Sequence, residues 1–329
     1  MEINPKEYTD RSYFIKEIEV NPNWIDDFNE DYYEYRRRWK KATEEFYLYD
    51  FPLCLEIESS YNCNYGCPNC PRFAATIPKK GNMSLEIFRK IIKECKEMRL
   101  DSIFLDHGGE ALMNKHLPEF VRLCYEASIL DIMISTNASL LTRDLSRKLI
   151  QNGLTKINFS IDAATSKTYA LTRPGGDYAK VLKNIEDFLK EKERNGKSYP
   201  RVRVSFIIQD FNRDEAEMFY EQWKAKANVI AFQKMKNYKK ILGDNSNTAL
   251  NMTYDFKCTQ IFTLLMIDYK GGIHFCIQDY NHKYTLGNIG KNRIKECWND
   301  DIIMKLRDLH REGRYSEFGL CKNCVLGSL

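Results

Sequence analysis

The chain has 329 residues, 43% of them hydrophobic, with 50 basic and 46 acidic side chains and a net charge of +4. That is enough apolar material for one large domain plus an appendage, and too little net charge to argue for a nucleic-acid partner. No apolar run is long enough to cross a membrane and the polar, aromatic N-terminus carries no secretory signal, so the eleven cysteines point to metal in a reducing cytoplasm and not to disulfides.

Residues 1–50 form an aromatic and basic segment ahead of the core. The run Tyr35-Arg36-Arg37-Arg38-Trp39-Lys40-Lys41 reads as helical and leaves two uses open. It is a lid or clamp over an anionic substrate, or a solvated helix whose aromatics pack on the core. Between residues 51 and 240, six apolar β-type runs (53–57, 102–105, 132–135, 156–161, 202–208, 229–232) alternate with amphipathic stretches at 85–98, 117–127, 143–151, 178–190 and 213–226. Such β–α repeats with parallel crossovers predict an α/β fold, a parallel sheet or barrel with its functional loops at the carboxyl ends of the strands.

Cys63, Cys67 and Cys70 follow the first run as C-N-Y-G-C-P-N-C. Three thiolates so close can hold three irons of a cubane cluster and leave the fourth open to a substrate or cofactor. The competing reading is a zinc site or buried structural cysteines. Asp106-His107-Gly108-Gly109-Glu110 follows the second run, where glycines allow close backbone approach and the glutamate can accept from an ammonium. Ser135-Thr136-Asn137-Ala138 follows the third run, and Ser160-Ile161-Asp162-Ala163 the fourth. Arg173, in T-R-P-G-G, is either a carboxylate partner or a solvated or capping residue. After the sixth run, Lys234, Lys236 and Tyr238, with Gln233 nearby, are candidates for a catalytic base.

Residues 241–329 carry Cys258, Cys276, Cys321 and Cys324. Gly271 marks a hairpin turn before Cys276, and a helical stretch at 300–309 precedes the C-x2-C pair Cys321/Cys324. Four cysteines suffice for one fully ligated 4Fe–4S cluster or for a structural zinc. The remaining cysteines, Cys54, Cys95, Cys124 and Cys297, lie in apolar contexts and read as packing residues.

The triplet, the G-G-E motif and the two segments after the third and fourth runs resemble, in their order on successive strands, the radical S-adenosylmethionine (SAM) superfamily. Ala138 and Ala163 depart from it, standing where the family motifs carry glycine. The second cysteine set resembles the family's SPASM extension in its shortened twitch form. The resemblance implies a partial (β/α)6 TIM-like barrel at 51–240 and a small domain of β-hairpin plus helix at 241–329. It implies two 4Fe–4S clusters: one on Cys63, Cys67 and Cys70 that binds SAM at its open iron, and an auxiliary one on Cys258, Cys276, Cys321 and Cys324. Gly108, Gly109 and Glu110 would meet the SAM amino group, Asn137 would lie near the cofactor, Ser160 and Asp162 near its ribose and carboxylate, and Arg173 would pair with that carboxylate. The implied chemistry is reductive cleavage of SAM to a 5′-deoxyadenosyl radical, which abstracts a substrate hydrogen. With one auxiliary cluster, the chain resembles dehydrogenases of sugar- or cyclitol-type small molecules in carbohydrate, surface-polysaccharide or natural-product synthesis, reduced by a flavodoxin- or ferredoxin-type protein. Maturation of a ribosomal peptide, epimerisation and a non-enzymatic iron–sulfur scaffold are the rival readings.

Overall fold

The computed structural model describes residues 14–21, 30–77, 80–196, 198–235, 257–322 and 324. All six predicted strands form: β2 (Cys54–Ile57), β3 (Ser102–Phe104), β4 (Asp131–Thr136), β5 (Lys156–Ser160), β6 (Arg201–Ile208) and β7 (Val229–Lys234). They pair in parallel in sequence order, and the helices between them bury their apolar stripes against the outer face, giving a partial barrel. The helix Leu85–Met98 shows why the pattern was readable. Phe88, Ile91, Ile92 and Cys95 recur at helical spacing and are buried, and the Ser84 hydroxyl accepts the Ile87 N–H at its start.

The sheet is longer than the sequence predicts. Among the described residues it has ten strands, in the order β1 (Phe14–Glu19), β7, β6, β5, β4, β3, β2, β8 (Leu264–Ile267), β9 (Gly272–His274), β10 (Thr285–Asn288). Strand β1 (Phe14–Glu19) runs antiparallel along β7, and β8 (Leu264–Ile267) runs parallel along β2. Both edges of the six-stranded unit are thereby covered, which removes two rows of unpaired backbone groups. The hairpin expected around Gly271 is present: β8 and β9 (Gly272–His274) are antiparallel, with Gly271 at φ +86°. β10 (Thr285–Asn288) completes the sheet. The C-terminal hairpin is thus continuous with the barrel sheet.

The basic aromatic run does form a helix, Glu30–Glu44, but it is neither a lid nor a clamp over the functional loops. Tyr32, Tyr35, Trp39 and Ala42 face inward and pack with Leu53, Cys54, Phe104 and Leu264. Arg38 pairs with Asp101 just before β3, and Lys156 at the first residue of β5 reaches the Tyr32 hydroxyl at 3.1 Å and Asp131 at 2.6 Å. The ion pairs and the contacts with Leu53, Cys54 and Leu264 lie at the amino ends of the strands, so the helix plugs the barrel end opposite the cysteine triplet. Its aromatic spacing required that outcome, since burying the stripe turns Arg37, Lys40 and Lys41 to water.

Candidate active site

Backbone contacts shape the loop after β2. Glu110 N–H donates to Asn62 O at 2.7 Å and Gly109 N–H to Ser60 O at 2.9 Å, while the Asn114 amide bonds Ser59 O at 2.7 Å and Met83 O at 3.0 Å. The G-G-E glycines are therefore packing residues as well as contact candidates. A Cβ at Gly109 would stand 2.2 Å from Asn62 O and 2.4 Å from Ser60 O, both backbone atoms of the cysteine loop. Gly109→Ala is expected to displace that loop, lowering stability by about 1–3 kcal/mol and reducing the iron that the triplet would hold. Iron counts with thermal melts check this, and full iron content in the variant would refute it.

Cys63, Cys67 and Cys70 are partly buried and in no disulfide. Burial pushes the Cys63 and Cys70 thiols up, and each also feels Cys67, so the three form one electrostatic group. Gathered thiols without a disulfide fit a metal cluster, which stabilises the thiolates that burial disfavours. Cys70 borders an open cleft of about 270 Å³ at the carboxyl ends of the strands.

The family-like segments surround this group. Glu110 is buried and accepts from Thr136 Oγ1 at 2.6 Å, Asn137 N–H at 2.8 Å and Leu112 N–H at 3.1 Å. A carboxylate has about four acceptor sites, so Glu110 keeps room for one further donor. Asn137 ties its segment to the cysteine loop through Asn64 Oδ1 at 3.1 Å. Ala138 adopts φ +60°, the left-handed conformation that explains why glycine is the common occupant of such a position. Asp162, at φ +61°, accepts Ile207 N–H at 2.8 Å and pairs with Arg173. Arg173 is no solvated surface residue: only 13% of its side chain is exposed, and its Nη1 lies 3.8 Å from Cys67 Sγ. Burial opposes its charge, but Asp162 and Cys67 outweigh burial and hold its pKa above the ordinary value. Gly108, Ser160, Asp162 and Arg173 all line the cleft.

Of the predicted base candidates, Lys234 lies exposed at the cleft rim, and Lys236 and Tyr238 fall outside the described residues. The sequence reading missed a better placed pair. His107 and Glu56 both line the cleft, both are buried, and His107 Nδ1 stands 3.5 Å from Glu56 Oε1. Burial alone would lower the His107 pKa, yet Glu56 overrides it and raises it. The signal available in the sequence was an acidic residue at an inward position of a barrel strand, Glu56, next to a histidine at the following strand end.

Behind the triplet, Glu58 is fully buried and accepts Tyr269 N–H at 3.2 Å. Burial, partly offset by His107 and that hydrogen bond, pushes its pKa up to about 7 from 4.5. The folded state then binds this proton more tightly than the unfolded one, so stability is full at low pH and falls as pH rises from 4.5 towards 7. The loss across that window is roughly 3 kcal/mol. Glu58→Gln is expected to flatten the fall, giving the variant the higher melting temperature at pH 8 but not at pH 5. Parallel pH profiles for the two proteins would exclude Glu58 as the titrating group.

Cys258, Cys276, Cys321 and Cys324 converge on one cavity with Phe275 and Ile261 in its wall. Burial raises the Cys276 pKa well above the usual thiol value, and the other three cysteines add to the rise, so all four are mutual neighbours. Four clustered sulfurs in a largely apolar pocket fit a fully ligated metal group. Gln278 lines both this cavity and the cleft, which places the two sites side by side. Among the described residues no helix is long and apolar enough to cross a membrane.

The comparisons with known proteins agree with this arrangement. The sequence profile of the Radical SAM superfamily matches residues 57–222, and that of an iron-sulfur cluster-binding (SPASM) domain matches residues 258–325. The S-adenosyl-L-methionine-dependent 2-deoxy-scyllo-inosamine dehydrogenase of Niallia circulans is 22% identical over 82% of this chain and 91% of its own length. A GTP 3′,8-cyclase of Alkaliphilus oremlandii is 32% identical, with the match spanning 51% of each chain. Among solved structures, BtrN in complex with AdoMet and 2-DOIA has a TM-score of 0.56 at 20% identity, covering 83% of this chain and 92% of that one. SuiB of Streptococcus suis bound to precursor peptide SuiA has a TM-score of 0.57 at 18% identity, covering 92% and 76%. The order of strands, cysteine triplet, strand-end motifs and C-terminal four-cysteine cavity, with these matches, makes the chain a member of the radical SAM superfamily with a C-terminal SPASM domain.

Proposed function

We propose that this enzyme oxidises a hydroxylated small molecule of the amino-cyclitol or sugar class to a ketone. The observation that carries the reading is the position of Gln278, which borders both the cleft and the four-cysteine cavity. When bound, SAM and two 4Fe–4S clusters, reduced by a flavodoxin- or ferredoxin-type protein, supply a hydrogen-atom-abstracting radical and an acceptor for one electron.

The protein's residues do the rest. Cys63, Cys67 and Cys70 would hold the cluster at the cleft, Cys258, Cys276, Cys321 and Cys324 would hold the auxiliary one, and Gly108, Gly109, Glu110, Asn137, Ser160, Asp162 and Arg173 would frame the cofactor. The cleft floor supports a polyol: Ser135, Asn158, Ser160, Ser205 and Gln233 present hydroxyls and amides. Asn158 Nδ2 is shared among Ser135, Ser160 and Ser205 at 2.7, 3.4 and 3.3 Å, which ties the hydroxyls of three strands into one polar floor. In its neutral form, with the Nδ1 hydrogen facing Glu56, His107 offers the Nε2 lone pair to the substrate hydroxyl proton, and Glu56 stabilises the imidazolium that results. The balance is complete: one hydrogen atom leaves carbon, one proton goes to His107 and one electron passes towards the auxiliary site. The similarity to the 2-deoxy-scyllo-inosamine dehydrogenase supports the same class.

The test is anaerobic turnover of reconstituted protein with SAM and dithionite against a panel of 2-deoxy-scyllo-inosamine, other amino-cyclitols, nucleotide-linked sugars and GTP. A product lighter by two hydrogens, formed with 5′-deoxyadenosine from a cyclitol or sugar, is the expected result. An isomer of unchanged mass would make the enzyme an epimerase, and turnover confined to GTP or to a ribosomal peptide would overturn the assignment.

A further inference from the structure

A histidine also lines the four-cysteine cavity. His310 lies in the last turn of the helix Asp301–Arg311, is fully buried and lines the four-cysteine cavity. Its Nδ1 accepts the backbone N–H of Cys258 at 3.2 Å. A ring nitrogen that accepts holds a lone pair, so the ring hydrogen sits on Nε2. Nε2 lies 3.5 Å from Cys321 Sγ, within reach of an N–H···S hydrogen bond. The ring plane is set by stacking on Tyr315, with centroids 5.5 Å apart and planes at 17°. One imidazole thus joins the two ends of the cysteine set: it is anchored on Cys258 and donates to Cys321.

We propose that His310 is a positioning residue for charge, an N–H donor to the Cys321 sulfur that raises the reduction potential of the group held by the four C-terminal cysteines. This rests on the reading of that cavity as a 4Fe–4S site. The physical reason is charge: reduction adds an electron to the iron–sulfur unit, part of which spreads onto the thiolate sulfurs, and an N–H dipole aimed at sulfur stabilises the reduced form more than the oxidised one. Burial strengthens the effect, because little water is present to screen it. Gln278 N–H makes a backbone counterpart to Cys276 Sγ at 3.4 Å, but only the His310 donor can be removed by changing a side chain. A higher potential suits a site that must accept an electron from a substrate at the neighbouring cleft.

The experiment uses the full chain with Cys63, Cys67 and Cys70 replaced by alanine, so that one cluster remains, and follows a redox titration by electron paramagnetic resonance. His310→Phe keeps a ring against Tyr315 and deletes the donor. It is expected to shift the midpoint potential negative, with about a tenfold loss in the equilibrium for accepting an electron, roughly 59 mV for a one-electron couple. His310→Gln keeps both an acceptor for Cys258 N–H and a donor for sulfur, and is expected to restore most of the shift. A potential unmoved in His310→Phe, with the cluster signal intact, overturns the proposal alone. Zinc in place of a cluster in the parent overturns the reading of the cavity and the proposal with it. Should His310→Phe lose the cluster, the parent chain labelled with 15N-histidine decides: a hyperfine coupling from an imidazole nitrogen to the reduced cluster supports the hydrogen bond, and its absence overturns it.

Discussion

Cys67→Ala is expected to abolish 5′-deoxyadenosine formation while leaving the barrel folded. Cys67 sits in the loop after β2 and belongs to no strand or helix, so the ten-stranded sheet keeps its ladder. Its side chain is half-buried and its contact with Arg173 is dispensable, because Arg173 keeps Asp162 as partner. What disappears is one of three thiolates. Two cannot hold a cubane, and the iron count should drop from about eight to about four per chain. On the proposed role of the triplet as holder of the SAM-reducing cluster, the loss should be at least roughly 10³-fold. Iron and sulfide counts, circular dichroism and product chromatography on one anaerobic preparation check all three parts. Substantial cleavage by a variant shown to lack the cluster would remove the triplet from its role.

Cys324→Ala tests the two proposed metal sites separately. SAM cleavage should persist, because Cys63, Cys67 and Cys70 lie in a different loop and none of them lines the four-cysteine cavity. Substrate oxidation should fall by more than about 100-fold, the upper end for loss of even an outer-shell partner of a metal ligand. On the proposed two-electron oxidation, loss of a hydrogen atom and a proton leaves one electron to place, and Gln278 borders both the cleft and the four-cysteine cavity. The expected signature is 5′-deoxyadenosine formed without matching ketone. Normal ketone yield from Cys324→Ala would eliminate the auxiliary site as electron acceptor and favour a redox-neutral reaction.

The parts of this molecule that were legible in sequence are those whose cause is local. Six β-type runs and their amphipathic partners became strands and helices because side-chain periodicity is set by each segment's own burial. The cysteine triplet stood out because its three thiols lie close together along the chain, and the hairpin at Gly271 because a tight turn at φ +86° favours glycine. Gly109 was legible as a motif residue, but its reason was not: only the folded chain brings Asn62 O and Ser60 O against its α-carbon.

Tertiary structure alone decided the rest, because each feature joins residues far apart in the chain. β1 found the edge of β7 and β8 the edge of β2, pairings for which local sequence carries no address. The helix Glu30–Glu44 was open to two uses until its aromatic stripe met the amino ends of the strands, which made it a plug and left its arginines far from the cleft chemistry. His107 became a candidate base only when β2 and β3, neighbours in the sheet, set it beside Glu56. His310 became a partner of Cys321 only when its helix closed over the four-cysteine cavity. Periodicity and ligand spacing are written along the chain; adjacency of sites is a property of the packed sheet.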